Sequence, residues 1–413
     1  MAGMYKDRII TNRLKKIVKN FPVVVIVGAR QVGKSTIIDH VFPKIEHITF
    51  DPIIDVGYSK TEPDVFLNNH PSPIIFDEIQ YAPELISAIK RHVDKNRKPG
   101  QYILTGSQQW AVMKNIAEGL TGRAVFLHME GFSLSEIAQA LPEKNWLERW
   151  LENNPEKFKE NIKRLPSTRT LYEQLWRGWL PDADRLDFDS VITYYRSYLQ
   201  TYVERDARQL LDASNWQIFG RFLQLVSALT GQEVNLSKWG KDLDISYQTV
   251  QRWLAVIEGT FQWFKVPAYS GNVVKKIRSK PKGYFADTGL ACNLNMISSH
   301  NALGGHPMVG AIFETAVVSE IRKLSSAIAM PPQLYHWRSR GGAEVDLIFE
   351  RDGILFPVEI KLTANPTKKH TTGITAFRKT YPNIRIASGL VICPCEKFVR
   401  ISEDDYALPW DTM

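Results

Sequence analysis

Cysteine is scarce here: Cys292, Cys393 and Cys395 are the only three among 413 residues. An odd, sparse count excludes a disulfide framework and points to a reducing compartment. Cys393-Pro394-Cys395 also lacks the spacing of a redox or zinc pair, so idle or buried thiols are expected. Long apolar runs are missing too. The longest apolar strand candidate, Val23–Val27, falls far short of the roughly 20 residues that a membrane-spanning helix needs. Met1–Ile10 has no apolar core and no cleavage pattern, so no leader is expected. Neither an internal repeat nor a low-complexity tract interrupts the chain. These absences lead to the expectation of a cytoplasmic protein with no membrane partner.

What is present fits an ordinary globular protein, with 44% hydrophobic and 23% charged residues. A length of 413 residues exceeds one core and suggests two or three folded regions. The formal charge of +8 is compatible with a polyanionic partner. Where that charge sits has to decide whether it matters.

The first segment alternates strand and helix. Strands are predicted at Val23–Val27, His47–Phe50, Ile74–Phe76, Tyr102–Leu104 and Ala124–His128, with helices across Ser35–Val41 and Pro83–Asn96 between them. That alternation predicts an α/β fold with a mostly parallel sheet. From Glu136 to about Asp189 the sequence turns helical, and Trp146, Leu147, Trp150 and Leu151 share one stripe, which suggests a connector or lid. The expected regions are 1–135, 136–190, 191–290 and 291–413.

Gly28-Ala29-Arg30-Gln31-Val32-Gly33-Lys34-Ser35 fits G-x-x-x-x-G-K-[ST], directly after an apolar strand and before a helix. Glycines let the backbone curl its N–H groups toward phosphates, and the helix N-terminus adds positive potential. Lys34 is expected on the β- and γ-phosphates of ATP and Ser35 on Mg²⁺, with Gly28, Arg30, Gly33 and Thr36 completing the nucleotide-binding set. Pro73-Ile74-Ile75-Phe76-Asp77-Glu78 adds a buried strand ending in acids. Asp77 suits the Mg²⁺ shell and Glu78 suits polarising a water, which makes hydrolysis the better reading than binding alone. Thr105 or Ser107 at the end of the next strand could sense the γ-phosphate, or form a plain strand-end turn. Arg123 could serve a neighbouring subunit as an arginine finger, or form a surface ion pair.

The stretches Gly28–Thr36, Phe76–Gln80, Leu104–Ser107 and Thr121–Arg123 resemble prokaryotic AAA-type ATPases that carry a C-terminal domain of unknown function. The resemblance runs along almost the whole chain and is weakest around residues 140–170. It implies an AAA+-like core and homo-oligomers, rings included, but no single biological role. Lys280–Leu290 also looks like a hallmark of that family.

Residues 235–286 read as a winged helix. Leu236, Trp239 and Leu243 give a short helix, Asp244-Ile245 a turn and Ser246 a cap. The next helix places Val250, Leu254, Ile257 and Phe261 on one face and Gln248, Thr249, Gln251 and Arg252 on the other, where they could meet DNA. Lys275, Lys276, Arg278, Lys280 and Lys282 follow as a basic wing; beside the helix it points to DNA, ahead of a protein-contact surface or a solvated face.

The C-terminal third holds Glu314, then Glu344-Val345-Asp346-Leu347-Ile348, then Glu359-Ile360-Lys361. Alternation predicts Val345, Leu347 and Phe349 on one strand face, with Glu344 and Asp346 opposite. A hairpin through Arg351-Asp352-Gly353 gathers Asp346, Glu359 and Lys361 on one face, with Glu314 arriving from a helix. Carboxylates plus a lysine suit Mg²⁺-assisted phosphodiester cleavage. Asp346, Glu359-Ile360-Lys361 and Glu314 resemble the PD-(D/E)xK nuclease superfamily, which implies a restriction-endonuclease-like α/β domain with Glu314, Asp346 and Glu359 on the metal. An ion-paired face, or a nuclease fold that only binds DNA, would use the same residues. Pro357 is expected at the strand's start or at a bulge.

These readings lead us to expect ATP hydrolysis coupled to DNA binding and to remodelling, translocation or cleavage of DNA. Two rivals stand beside that reading: a DNA motor with an inactive nuclease fold, and a nucleotide-gated switch acting on protein partners.

Overall fold

The computed structural model describes residues 5–107, 119–166, 169–202, 216–272 and 279–413. Two compact units result: Asp7–Gly131 with Ile257–Gln262, and Phe132–Val256 with Trp263–Met413 and the residues before Asp7.

In the first unit, strands β1 (Val23–Val27), β2 (Glu46–Thr49), β3 (Ile74–Asp77), β4 (Tyr102–Gly106) and β5 (Ala124–His128) form a parallel sheet in the order β2-β3-β4-β1-β5. Five consecutive aliphatic residues suit β1 because it is buried on both faces between β4 and β5. The helix Leu85–Lys95 turns Leu85, Ile86, Ala88, Ile89 and Val93 inward, the spacing of a helix covering a sheet. Inserting β4 between β1 and β3 has a functional consequence. It puts the carboxyl ends of all three side by side, with Val27 opposite Gly106 and Phe76 opposite Leu104. Open α/β sheets bind ligands at that edge.

The second unit begins with short helices. Trp146–Trp150, capped by Asn145, buries Trp146, Leu147 and Trp150 as its stripe predicts. Farther along, the helix Trp216–Ala228, β6 (Gln232–Glu233), the helices Leu236–Leu243 and Tyr247–Gly259, β7 (Trp263–Val266) and β8 (Lys282–Phe285) follow in order. The three strands pair antiparallel as β6-β8-β7. Asp244 takes a left-handed conformation at the turn, and Ser246 Oγ accepts from the Thr249 N–H at 3.1 Å, so the expected cap is in place.

The last part of this unit is a seven-stranded sheet. Strands β9 (Gln333–Arg338), β10 (Glu344–Arg351) and β11 (Ile354–Ile360) run antiparallel. Beyond them, β12 (Arg385–Ile386) and β13 (Gly389–Cys393) pair parallel with β11, β15 (Asp405–Pro409) runs parallel to β13, and β14 (Val399–Arg400) edges the sheet against β15. Helices Val309–Ala327 and Thr372–Thr380 flank the three antiparallel strands in sequence. Asp352 and Gly353, both with positive φ, make the two-residue turn whose twist matches its strands.

Two expectations are corrected here. Strict alternation fails in β10, because a register shift between Val345 and Ile348 inserts an extra residue. Val345 and Ile348 consequently share one apolar cluster with Trp337, Leu355 and Phe377. Pro357 lies in the middle of β11, neither at its start nor in a bulge of that strand. It falls in a gap along one edge, where pairing with β12 ends at Leu355 and pairing with β13 begins at Val358.

Candidate functional site

The loop between β1 and the helix Lys34–Val41 depends on two glycines. Gly33 has φ +93°, and a Cβ on Gly28 would come within 2.0 Å of the Met129 carbonyl oxygen. Lys34 Nζ is buried and donates to the carbonyls of Gly28 at 3.0 Å and Ala29 at 2.8 Å, which keeps the ammonium inside the loop's curl. A residue without local sequence signal braces the loop from outside. Arg8 is buried, and it donates to the carbonyls of Val32 at 2.7 Å, Glu130 at 2.6 Å and Gly131 at 3.3 Å.

Asp77 ends β3 beside that loop. Ser35 Oγ donates to Asp77 Oδ2 at 2.6 Å, and Thr105 donates to the other carboxylate oxygen. The next residue, Glu78, has a left-handed backbone and donates its N–H to Thr105 Oγ1 at 3.0 Å. Its carboxylate accepts from Ser107 Oγ at 3.0 Å and from Gln80, whose amide also reaches Ser107 at 3.1 Å. Thr105 and Ser107 thereby divide the work: one orients Asp77 and the other Glu78. Arg30 donates to Tyr81 at 3.0 Å, and Thr36 is exposed. Arg123 forms a bidentate pair with Asp94, at 2.5 and 2.9 Å, and donates to the Thr121 carbonyl at 3.0 Å.

This oxygen set suits Mg²⁺ arriving with a nucleotide. Ser35 and Asp77 are hard donors next to the loop amides and the Lys34 ammonium. His47 adds a second sign. Its Nδ1 meets Asp39 at 2.6 Å, while Nε2 lies buried, 3.6 Å from Asp77 Oδ2, with no hydrogen-bond partner among the described residues. A metal-bound water is the kind of group such an atom can accept.

The C-terminal acids do converge, and lysines converge with them. Lys361 Nζ reaches Asp346 at 2.8 Å and Glu359 at 2.7 Å. Lys282, only 4% exposed, comes from β8 and reaches Glu344 at 2.5 Å, Glu314 at 3.0 Å and Asp346 at 3.6 Å. Tyr284 OH donates to the same Glu314 oxygen at 2.7 Å. Burial alone would lower the Lys282 pKa, but the fields of Glu314, Asp346 and Glu344 override it and hold it above the ordinary lysine value. Burial opposes charge on Asp346 as well, yet Lys282 and Lys361 hold it below the usual carboxylate range. Glu314 is raised, by burial first, and Glu359 is pushed up to about 8 by burial and the charge of Asp346. Among the described residues no group of three His, Cys, Asp or Glu could hold a metal ion. Each of the three acids expected on a metal is thus ion-paired with a lysine: Glu314 and Asp346 with Lys282, Asp346 and Glu359 with Lys361.

The basic wing is corrected at one position. Lys282 is not a surface cation but a buried member of that cluster. Lys280 is exposed, and its carbonyl meets His336 Nε2 at 3.0 Å. Lys275, Lys276 and Arg278 lie outside the described residues. Gln248, Gln251 and Arg252 are exposed on the helix Tyr247–Gly259, while Val250, Trp253 and Leu254 are buried. No helix among the described residues is long and apolar enough to cross a membrane.

Comparison with known proteins agrees with the P-loop geometry. Residues 20–138 match an AAA domain family, 168–301 a domain of unknown function (DUF8612) and 309–413 another (DUF4143). The uncharacterized proteins Rv2008c of Mycobacterium tuberculosis and Mb2031c of Mycobacterium bovis are each 25% identical over 402 residues, 97% of this chain and 82% of theirs. Among solved structures, the Walker-type ATPase of Pyrococcus abyssi, paby2304, aligns with 15% identity and a TM-score of 0.42 over 69% of this chain and 94% of that one. A point variant of Thermotoga maritima RuvB aligns with 12% identity and a TM-score of 0.31 over 65% and 93%. Residues 20–138 are a P-loop ATPase domain of the AAA type.

Proposed function

We propose that the protein hydrolyses ATP with Mg²⁺ at the P-loop and couples this cycle to holding and remodelling DNA. The observation that carries the hydrolytic half is Glu78. It stands next to Asp77, and Ser107 and Gln80 fix its carboxylate, an arrangement that a site for binding alone does not need. Lys34, Ser35 and Asp77 would hold the nucleotide and its Mg²⁺, which would offset phosphate charge, and Glu78 would orient and deprotonate the attacking water.

The DNA half rests on the helix pair Leu236–Leu243 and Tyr247–Gly259 followed by β7 and β8, an order we read as a winged helix. Gln248, Gln251 and Arg252 give its second helix a polar outer face, and Lys280 lies exposed after it. We read the C-terminal topology as nuclease-like, with the acidic cluster as part of the fold and not a cleavage centre. One observation favours a second reading, a nucleotide-gated switch acting on protein partners: burial of Lys282 takes a cation away from the wing.

The discriminating experiment is steady-state ATPase rate with duplex, single-stranded and branched DNA across a salt series, with the DNA followed on a gel. Stimulation that fades steeply with salt supports the DNA reading. No stimulation by any DNA would discard it in favour of the switch.

A further inference from the structure

We infer that Lys282 is the resident cation of the C-terminal acidic cluster, filling the position that a divalent metal would need, so that this domain binds no catalytic metal. The inference is independent of whether DNA stimulates the ATPase.

The geometry is specific. Glu314 comes from the helix Val309–Ala327 and Glu344 and Asp346 from β10, and all three reach one ammonium, at 3.0, 2.5 and 3.6 Å. A divalent ion would need carboxylate oxygens at about 2.0–2.6 Å around that same point, which a lysine nitrogen already fills. Strand pairing fixes the lysine in place: β8 sets Lys282 opposite Glu233 on β6 and opposite Val266 on β7. Tyr284, two residues on and hence on the same face, donates to Glu314 at 2.7 Å, so a single strand delivers two donors to one carboxylate. Gly283 between them faces Trp263, where a Cβ would fall 2.1 Å from the indole ring. This gives Lys282-Gly283-Tyr284 a mechanical role: Lys282 offsets the charge of the cluster, Tyr284 adds a hydrogen bond to Glu314, and the glycine lets the strand lie close to Trp263.

The other side of Asp346 is paired as well, since Lys361, partly exposed, bridges Asp346 and Glu359. Both ends of Asp346 therefore face an ammonium. A metal among Glu314, Glu344 and Asp346 would have to expel a buried, strand-anchored lysine, and one between Asp346 and Glu359 would have to displace Lys361.

The test is Mn²⁺ binding by electron paramagnetic resonance on the full chain without nucleotide or DNA, in an Asp77→Asn background that removes the P-loop metal contribution. With Lys282 present we expect no bound Mn²⁺ that a further Asp346→Asn change removes. Lys282→Ala is expected to gain about one Mn²⁺ per chain, lost again with Asp346→Asn, and Lys282→Arg to gain none. Mn²⁺ should also raise the melting temperature of Lys282→Ala and leave that of the Lys282 chain unchanged. Asp346-dependent Mn²⁺ binding with Lys282 in place would overturn the inference, as would a folded Lys282→Ala chain that gains no site. The first of these results decides the matter even if Lys282→Ala does not fold.

Discussion

Two clusters in this chain combine carboxylates with lysine, and they are wired differently. At the P-loop, Lys34 donates to main-chain carbonyls, Asp77 accepts from the hydroxyls of Ser35 and Thr105, and Glu78 accepts from Ser107 and Gln80. In the C-terminal acidic cluster, Lys282 and Lys361 are paired directly with Glu314, Glu344, Asp346 and Glu359. Hydroxyls and carbonyls orient a charge without cancelling it, which leaves Asp77 able to serve a metal and Lys34 a phosphate. Ammonium groups cancel it. A cation site and a salt-bridge joint can share the same residue types, and the difference lies in which partner each charge has been given.

The largest expected effect tests the uncancelled site. Glu78→Gln should lower ATP turnover at least about 100-fold while preserving nucleotide binding, because the amide cannot take a proton from water. Fluorescent-nucleotide binding alongside steady-state turnover checks this, and loss of binding would make Glu78 a structural residue. Lys34→Ala should lose both.

Stability should break the comparison in the opposite direction. Lys282→Ala leaves Glu314, Glu344 and Asp346 short of their shared ammonium, and removing one partner of a buried ion pair costs about 3–5 kcal/mol. Denaturant unfolding would measure it. A loss no larger than that of an exposed lysine would show that the cluster is solvated and open.

The P-loop site was largely legible in the sequence because its parts are local. Gly28–Ser35 and Ile74–Glu78 each sit on one strand and its exit, and a parallel sheet brings strand exits together. Arg8 and His47 were not legible, since each acts through long-range contacts that no spacing announces. In the C-terminal sheet the hairpin, Asp346, Glu359 and Lys361 were readable from alternation and an Asp352-Gly353 turn. The fate of the cluster was not. Lys282 lies 64 residues before Asp346 by residue number, inside a run of cations that reads as a basic surface. Only the pairing of β8 turns that lysine inward. The bulge in β10 escaped for a related reason, because alternation assumes an uninterrupted ladder.

Glu320 sharpens the comparison from a third position, a buried carboxylate whose lysine offsets only part of the cost of burial. Its Oε1 accepts from the Leu134 N–H at 3.0 Å, Lys323 Nζ stands 3.7 Å away, and Oε2 has no hydrogen-bond partner among the described residues. Burial pushes its pKa up to about 7. An acid raised in the folded state favours folding most at low pH, and that contribution is lost as pH rises from the ordinary value of 4.5 through about 7. Glu320→Gln should flatten this part of the stability profile and, above pH 7, raise stability by up to about 3 kcal/mol. Urea unfolding at several pH values checks the slope, and an unchanged profile would mean that the carboxylate is solvated.

The smallest effect on folding, and the most informative one about assembly, belongs to Arg123. Its partner Asp94 is on the same chain and both side chains are partly exposed, so Arg123→Ala should leave the melting temperature essentially unchanged. Turnover separates the two roles of the arginine. If Arg123 serves only Asp94, the variant hydrolyses ATP like the parent at every protein concentration. If it leaves Asp94 to reach a neighbour's γ-phosphate, the parent's specific activity rises with protein concentration and the variant's stays flat and low. Asp94→Ala then completes the pair of variants, because freeing the arginine should preserve or raise the concentration-dependent rate in the second case and change nothing in the first.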